Sequence, residues 1–151
     1  MSSDLFPGFS SQFITTSLDA RIFVRVSPLK NTKPPLLLLH GFPQTHVEFH
    51  KITPFLLPYF TIVLLDLRGY GASFPVPHSF NGSGYSKRLM GQDCISVMEQ
   101  LGFGGEKFTI VGHDRGARVA YRLAFDMPEK LHKIVVIDIV PRHQCFKGLE
   151  M

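Results

Sequence analysis

The sequence has 151 residues, 44% of them hydrophobic and 19% charged, with a net charge of +4; such a chain buries one core of ordinary size, and a single domain over 1–151 is expected. Apolar runs such as Leu36–Leu39 and Ile134–Ile137 are far below the roughly 20 residues that cross a bilayer, and Met1–Phe13 lacks a basic start followed by an apolar stretch, so the reading is no membrane, no secretory signal and a cytoplasmic protein. The basic residues are scattered among Asp and Glu, which argues against nucleic acid as a partner, and Cys94 and Cys145 carry no pattern that suggests a bridge.

In chain order, Gln12–Ser17 and Arg21–Val26 are rich in β-branched and aromatic residues and predict a hairpin turning at Leu18-Asp19-Ala20. Leu36–Leu39 and Thr61–Leu65 are continuous apolar runs, as expected of parallel strands covered on both faces. Between them His46–Leu57 reads as a helix interrupted by Pro54. The Gly-, Pro- and Ser-rich stretch from Arg68 to Gly84 predicts a long surface excursion. Asp66 and Arg68 are read as loop organisers rather than reactants.

Ser86 is a suitable N-cap for a helix running to Leu101, where Gly102 stops it. Phe108–Val111 predicts a third buried strand, Arg115–Met127 a helix ended by Pro128, and Lys133–Val140 a fourth buried strand. The alternation of strand and helix in the second half implies a mostly parallel sheet with crossover helices.

Gly112-His113-Asp114-Arg115-Gly116 follows a strand directly and opens a helix, the context of a nucleophile elbow. A sharp turn there strains the middle residue and needs small neighbours so that strand and helix can approach. The usual occupant is serine, which attacks acyl carbon; a carboxylate suits displacement at saturated carbon, with an alkyl-enzyme ester as intermediate. The alternative is an Asp N-cap on an ordinary helix. His40-Gly41-Phe42-Pro43 follows the Leu36–Leu39 strand, so the backbone N–H groups of Phe42 and Arg115 are candidate oxyanion donors, against a plain tight turn as the alternative.

Arg115 and Arg118 lie three apart on the helix that starts at the elbow, and two guanidinium groups beside a nucleophile suit a carboxylate clamp. A solvated helix face is the alternative, and it is the reading adopted for Arg122, which sits four residues before Asp126. Asp138 interrupts the apolar run Ile134–Val140, where a buried carboxylate needs a donor; otherwise it caps the loop at Pro141.

The segments His40–His46, Asp66–Gly71, Tyr85–Arg88 and Gly112–Arg118 together resemble the haloacetate (fluoroacetate) dehalogenases, relatives of the epoxide hydrolases within the α/β-hydrolase superfamily. The resemblance runs from about Phe6 to Pro141. It implies an α/β-hydrolase fold, here an incomplete, N-terminal core domain stopping before the cap domain and the last two strands. It also implies cleavage of the carbon–halogen bond of a small haloacid through an aspartyl ester: Asp114 as nucleophile, Arg115 and Arg118 holding the carboxylate, and Asp138 as the acid that orients a histidine base. No cofactor and no metal is implied.

In that family the base lies beyond the last strand, and none of the seven histidines here matches its position. The closing segment Arg142–Met151 departs from the family pattern, so a truncated product with at most one alkylation at Asp114 is expected. Related epoxide hydrolases usually carry tryptophan where this chain has Arg115, and their cap tyrosines have no counterpart here. The remaining alternative is a non-catalytic remnant that binds a partner, or itself, through the open edge of the Lys133–Val140 strand.

Overall fold

The computed structural model describes residues 4–16, 20–28, 33–73 and 83–140. The first two strands, β1 (Ser10–Thr15) and β2 (Arg21–Val26), pair antiparallel with Thr15 opposite Arg21, as their β-branched and aromatic content predicts, with β1 lying two residues earlier than expected. The expected turn at Leu18 and Asp19 lies outside the described residues. The strands β3 (Leu36–Leu39), β4 (Ile62–Leu65), β5 (Phe108–His113) and β6 (Leu131–Ile137) complete a six-stranded sheet of order β1-β2-β4-β3-β5-β6. All pairs among the last four are parallel, and β2 meets β4 antiparallel, as it meets β1.

The two apolar runs behave as their composition requires. Every residue of β3 and β4 is buried, and successive side chains point to opposite faces. Leu37, Leu39, Val63 and Leu65 enter one core, shared with Met90, Val97, Val119 and Leu123. Leu36, Leu38, Ile62 and Leu64 enter the other, with Phe6 and Phe49. Two helices, α2 (Lys87–Met98) and α3 (Arg115–Asp126), supply the first of these layers.

Four expectations change. The segment expected as one helix over His46–Leu57 is a 3-10 turn at His46–Phe49 and a short α1 at Thr53–Leu56; Pro54 has no N–H to continue the first turn and instead opens the second. The helix capped by Ser86, whose hydroxyl accepts the Leu89 N–H, stays regular only to Met98. It then widens into a π turn over Glu99–Phe103, and Gly102 at φ 91° ends it.

The predicted surface excursion starts from two enclosed residues, Arg68 and Ser73, with Gly69, Gly71 and Ala72 exposed between them; its residues 74–82 lie outside the described residues. Arg68 is buried because Asp93, on α2, receives its Nε and Nη2 at 2.8 and 2.7 Å, and the hydroxyl of Thr16 donates to the same carboxylate. The last strand, finally, is not buried: it ends at Ile137, and Ile134, Val135, Val136 and Ile137 are 39–45% exposed. Among the described residues β6 has β5 on one side and no strand on the other, so its apolar composition does not imply cover on both faces.

Chain direction places the site. Leu39 lies opposite Leu65 and Gly112, and Gly112 opposite Val136, so the parallel strands end along one edge. The chain leaves β3 toward β4 on one side, while β5 lies on the other. In open α/β sheets the crevice at such a reversal, outside the carboxyl ends of the strands, is where ligands bind.

Candidate active site

Asp114 stands in that crevice, between β5 and α3, with φ 43° and ψ −106°. A non-glycine residue at positive φ is strained, and it persists only where its surroundings hold it. Three backbone bonds do so: Asp114 N–H to Ile137 O at 3.0 Å, Gly116 N–H to His40 O at 3.0 Å, and Arg118 N–H to Asp114 O at 3.1 Å. The flanking glycines are required sterically. A Cβ at Gly112 would meet the Ala117 nitrogen at 2.5 Å, and one at Gly116 would meet Leu39 O at 2.2 Å.

The turn lifts the Asp114 carboxylate out of its own helix, where it makes no capping bond. It reaches across the crevice instead, and its Oδ2 accepts the N–H of Phe42 at 3.0 Å. Partial burial works against the charged form. The N–H groups of Phe42 and Arg115, with the Arg115 and Arg118 guanidinium groups, outweigh it and hold the carboxyl below its ordinary value. The two backbone groups expected to serve an oxyanion therefore already face the carboxylate. Arg115 is further steadied over the ring of Phe42, 5.3 Å from its centroid.

The loop that presents Phe42 is pinned from both sides. His40 is fully buried; its Nδ1 meets Gly41 O at 2.8 Å and its Nε2 accepts the Leu67 N–H at 2.9 Å. Burial pushes its pKa down, beyond what the Gly41 carbonyl and Asp66 restore, which suits a neutral ring bridging the loops after β3 and β4. Asp66, read as a loop organiser, accepts the backbone N–H and the ring Nδ1 of His46, both at 2.8 Å, and the Ala72 N–H at 2.9 Å. Burial opposes its charge, and these bonds, those from His46 foremost, still hold its carboxyl below the usual range.

One neighbour of the Asp114 elbow was not singled out from the sequence. Glu48, its side chain 14% exposed, accepts the Gly41 N–H at 3.2 Å and lies 3.3 Å from His113 Nδ1. It thereby ties the Phe42 loop to the elbow. A glutamate in a 3-10 turn carries no sequence signal for such a contact; the link exists only because β3 and β5 are adjacent.

Asp138 departs from its expected setting. It is the first residue past β6, at φ 57°, and its side chain is 83% exposed rather than buried within a strand. The left-handed backbone turns it out of the sheet, and its Oδ2 lies 3.9 Å from His113 Nε2. Like Asp114, it sits at the carboxyl edge.

Beside Asp114 opens a cavity of about 480 Å³, lined in part by Phe42, Tyr70, Tyr85, Lys87, Met90 and Arg115. A second hollow, of about 310 Å³, lies elsewhere, between Arg88 and Met127. Among the described residues no three His, Cys, Asp or Glu side chains are grouped to hold a metal ion, and no helix is long and apolar enough to cross a membrane. Arg122 pairs with Asp126 at 2.6 Å, the surface contact expected of it.

Comparison with known proteins agrees with this architecture. Residues 34–150 match the family model described as the alpha/beta hydrolase fold. A fluoroacetate dehalogenase from a Burkholderia species is 41% identical over 78% of this chain and 38% of its own length. A soluble epoxide hydrolase from Corynebacterium is 35% identical over 71% of this chain and 35% of its own. The structure of a candidate epoxide hydrolase from Pseudomonas aeruginosa is 43% identical, superposes with a TM-score of 0.84, and matches 99% of this chain and 48% of that one. The chain thus spans less than half the length of these relatives. With the elbow, the mostly parallel sheet and the family match in agreement, the chain belongs to the α/β hydrolase family.

Proposed function

We propose that this chain carries the nucleophile and anion-binding half of a dehalogenase that acts on small haloacids. The observation that carries the reading is Asp114: a carboxylate kept ionised at a strained elbow, with two arginines at its side. Oδ1, the oxygen not bonded to Phe42, attacks the halogen-bearing carbon from the side opposite the halogen. The new C–O bond forms as the C–halogen bond breaks, and the halide departs with the bonding pair.

Arg115 and Arg118 hold the carboxylate of the substrate and fix the line of attack. Oδ2 becomes the carbonyl oxygen of the ester, already bonded to the N–H of Phe42, with the N–H of Arg115 acting on the same carboxylate. When water attacks that ester, the negative charge develops on this same oxygen, where the two donors stabilise it. Asp138, at the same edge and near His113, is the acid available to orient a base.

The relatives named epoxide hydrolases support a second reading, in which Asp114 opens an epoxide ring. The paired guanidinium groups favour the first, because an uncharged epoxide gains nothing from them. Incubation with chloroacetate, followed by halide assay and peptide mass measurement, tests the proposal. The expected result is halide release with a carboxymethyl ester on Asp114, abolished by Asp114→Asn. Absence of both ester and halide, with styrene oxide labelling the same residue, would favour the epoxide reading.

A further inference from the structure

The cavity beside Asp114 holds a cation that the proposed chemistry has not used. Lys87 is the first residue of α2, half-buried in the cavity wall with Arg115. Its ammonium group can donate three hydrogen bonds. The contact it makes is to Met90 Sδ at 3.5 Å, a weak acceptor, and among the described residues no carboxylate forms an ion pair with it. The charges that act on it are those of the site: Arg115 and Arg118, which repel it, and Asp114, which attracts it.

The setting is unfavourable for a lysine in an empty protein. The N-terminus of a helix carries partial positive charge and favours acids, yet neither α2 nor α3 has an acidic residue in its first turn. Each instead begins with a base, Lys87 on α2 and Arg115 on α3, and both face one cavity. The charges of Arg115, Arg118 and Lys87 thus all act on the Asp114 carboxylate, two of them from one cavity wall, and one bound anion would relieve their mutual repulsion.

We propose that Lys87 is the third member of the anion clamp and donates a hydrogen bond to the carboxylate of the bound acid. This rests on the reading of Asp114, Arg115 and Arg118 given above and adds a specificity determinant to it. The ammonium group sits on α2, whereas both arginines sit on α3, so the acid is held between two helices. Carboxylic acids are selected over their neutral amides by all three charges rather than by the elbow helix alone.

The test is binding of glycolate, the acid that hydrolysis of the ester would release, followed by NMR titration of the full chain. Its neutral analogue glycolamide is the reference. Lys87→Met is expected to weaken glycolate about tenfold, the loss of one charge-assisted hydrogen bond, and Lys87→Arg is expected to restore most of it. Glycolamide should bind all three proteins alike.

Equal glycolate affinity in Lys87→Met and the parent chain would overturn the proposal, as would equal losses for glycolate and glycolamide, the mark of a structural role. Failure of the parent chain to bind glycolate would also overturn it. Lys87-dependent glycolate binding without any chloroacetate ester on Asp114 would sustain the clamp and reject the dehalogenase reading, so the two fail separately.

Discussion

Replacing Gly116 by alanine tests the geometry on which the elbow depends. The new methyl would lie 2.2 Å from Leu39 O, 2.5 Å from Leu39 C and 2.7 Å from His40 O. Ordinary contact begins at 3.4 Å, so α3 and β3 must separate by about 1 Å, a distance set by relief of the closest overlap. The two closest obstructing atoms are backbone of β3, which is hydrogen-bonded to β4 on one side and β5 on the other and cannot yield alone. Separation also stretches the Gly116 N–H bond to His40 O.

Overpacking costs about 1–3 kcal/mol, and loss of the hydrogen bond adds about 1 kcal/mol. Gly116→Ala is therefore expected to destabilise the chain by about 2–4 kcal/mol, a large share of a typical domain stability of about 5–15 kcal/mol. Urea unfolding followed by circular dichroism measures the loss. Gly105→Ala is the control, because a Cβ there meets nothing within 4 Å. A difference between the two variants below about 1 kcal/mol would refute the close approach of helix and strand inferred for the elbow.

Four further outcomes are expected. Because the folded carboxyl of Asp114 is held below its ordinary 3.8, its alkylation by chloroacetate should be independent of pH above that value and fall only below it. Arg115→Met and Arg118→Met should each move the midpoint upward; a parent-chain midpoint above 3.8 in initial-rate halide assays would contradict the electrostatic account. Glu48→Ala should slow the same alkylation roughly tenfold by loosening the Phe42 loop, while Glu48→Gln, which still accepts the Gly41 N–H, should lose less; parity of Glu48→Ala with the parent would dismiss Glu48 as a positioning residue.

Asp93→Asn leaves the enclosed Arg68 charge without its carboxylate and should cost about 3–5 kcal/mol in urea unfolding, with recovery in the pair Arg68→Met, Asp93→Leu. A loss under about 1 kcal/mol would mean the pair is solvated. The exposed apolar residues of β6 should drive self-association by edge pairing, seen as concentration-dependent sedimentation and reduced by Val135→Lys. A monomer at every concentration would rule that out.

Much of the site was legible because its signals are local. The pattern Gly-x-Asp-x-Gly after an apolar strand requires only neighbouring residues to agree, and the structure finds Asp114 at positive φ between two glycines with no room for a Cβ. The same holds for β3 and β4, whose unbroken leucine, isoleucine and valine runs imply cover on both faces, and for Ser86, whose hydroxyl acts within its own helical turn. Strand ends and surface exposure were less legible. Lys133–Val140 has the composition of a central strand, but composition does not report whether a neighbour is present, and β6 proves open and stops before Asp138.

The sequence by itself determined the order of strands and helices, the elbow and the identity of its carboxylate, because each depends on interactions within a few residues along the chain. Only the tertiary structure decided which distant groups meet that carboxylate. Phe42 N–H reaches it as the strand-end motifs suggested, but Glu48, which braces the Phe42 loop, and Lys87, which shares a cavity wall with Arg115, have no local pattern in common with Gly112–Gly116, and Arg68 becomes a core residue solely because Asp93 lies across from it. Their convergence follows from the parallel pairing of β3 with β5 and the packing of α2 beside α3, and such long-range pairings are set by burial of the whole sheet rather than by any single stretch of residues.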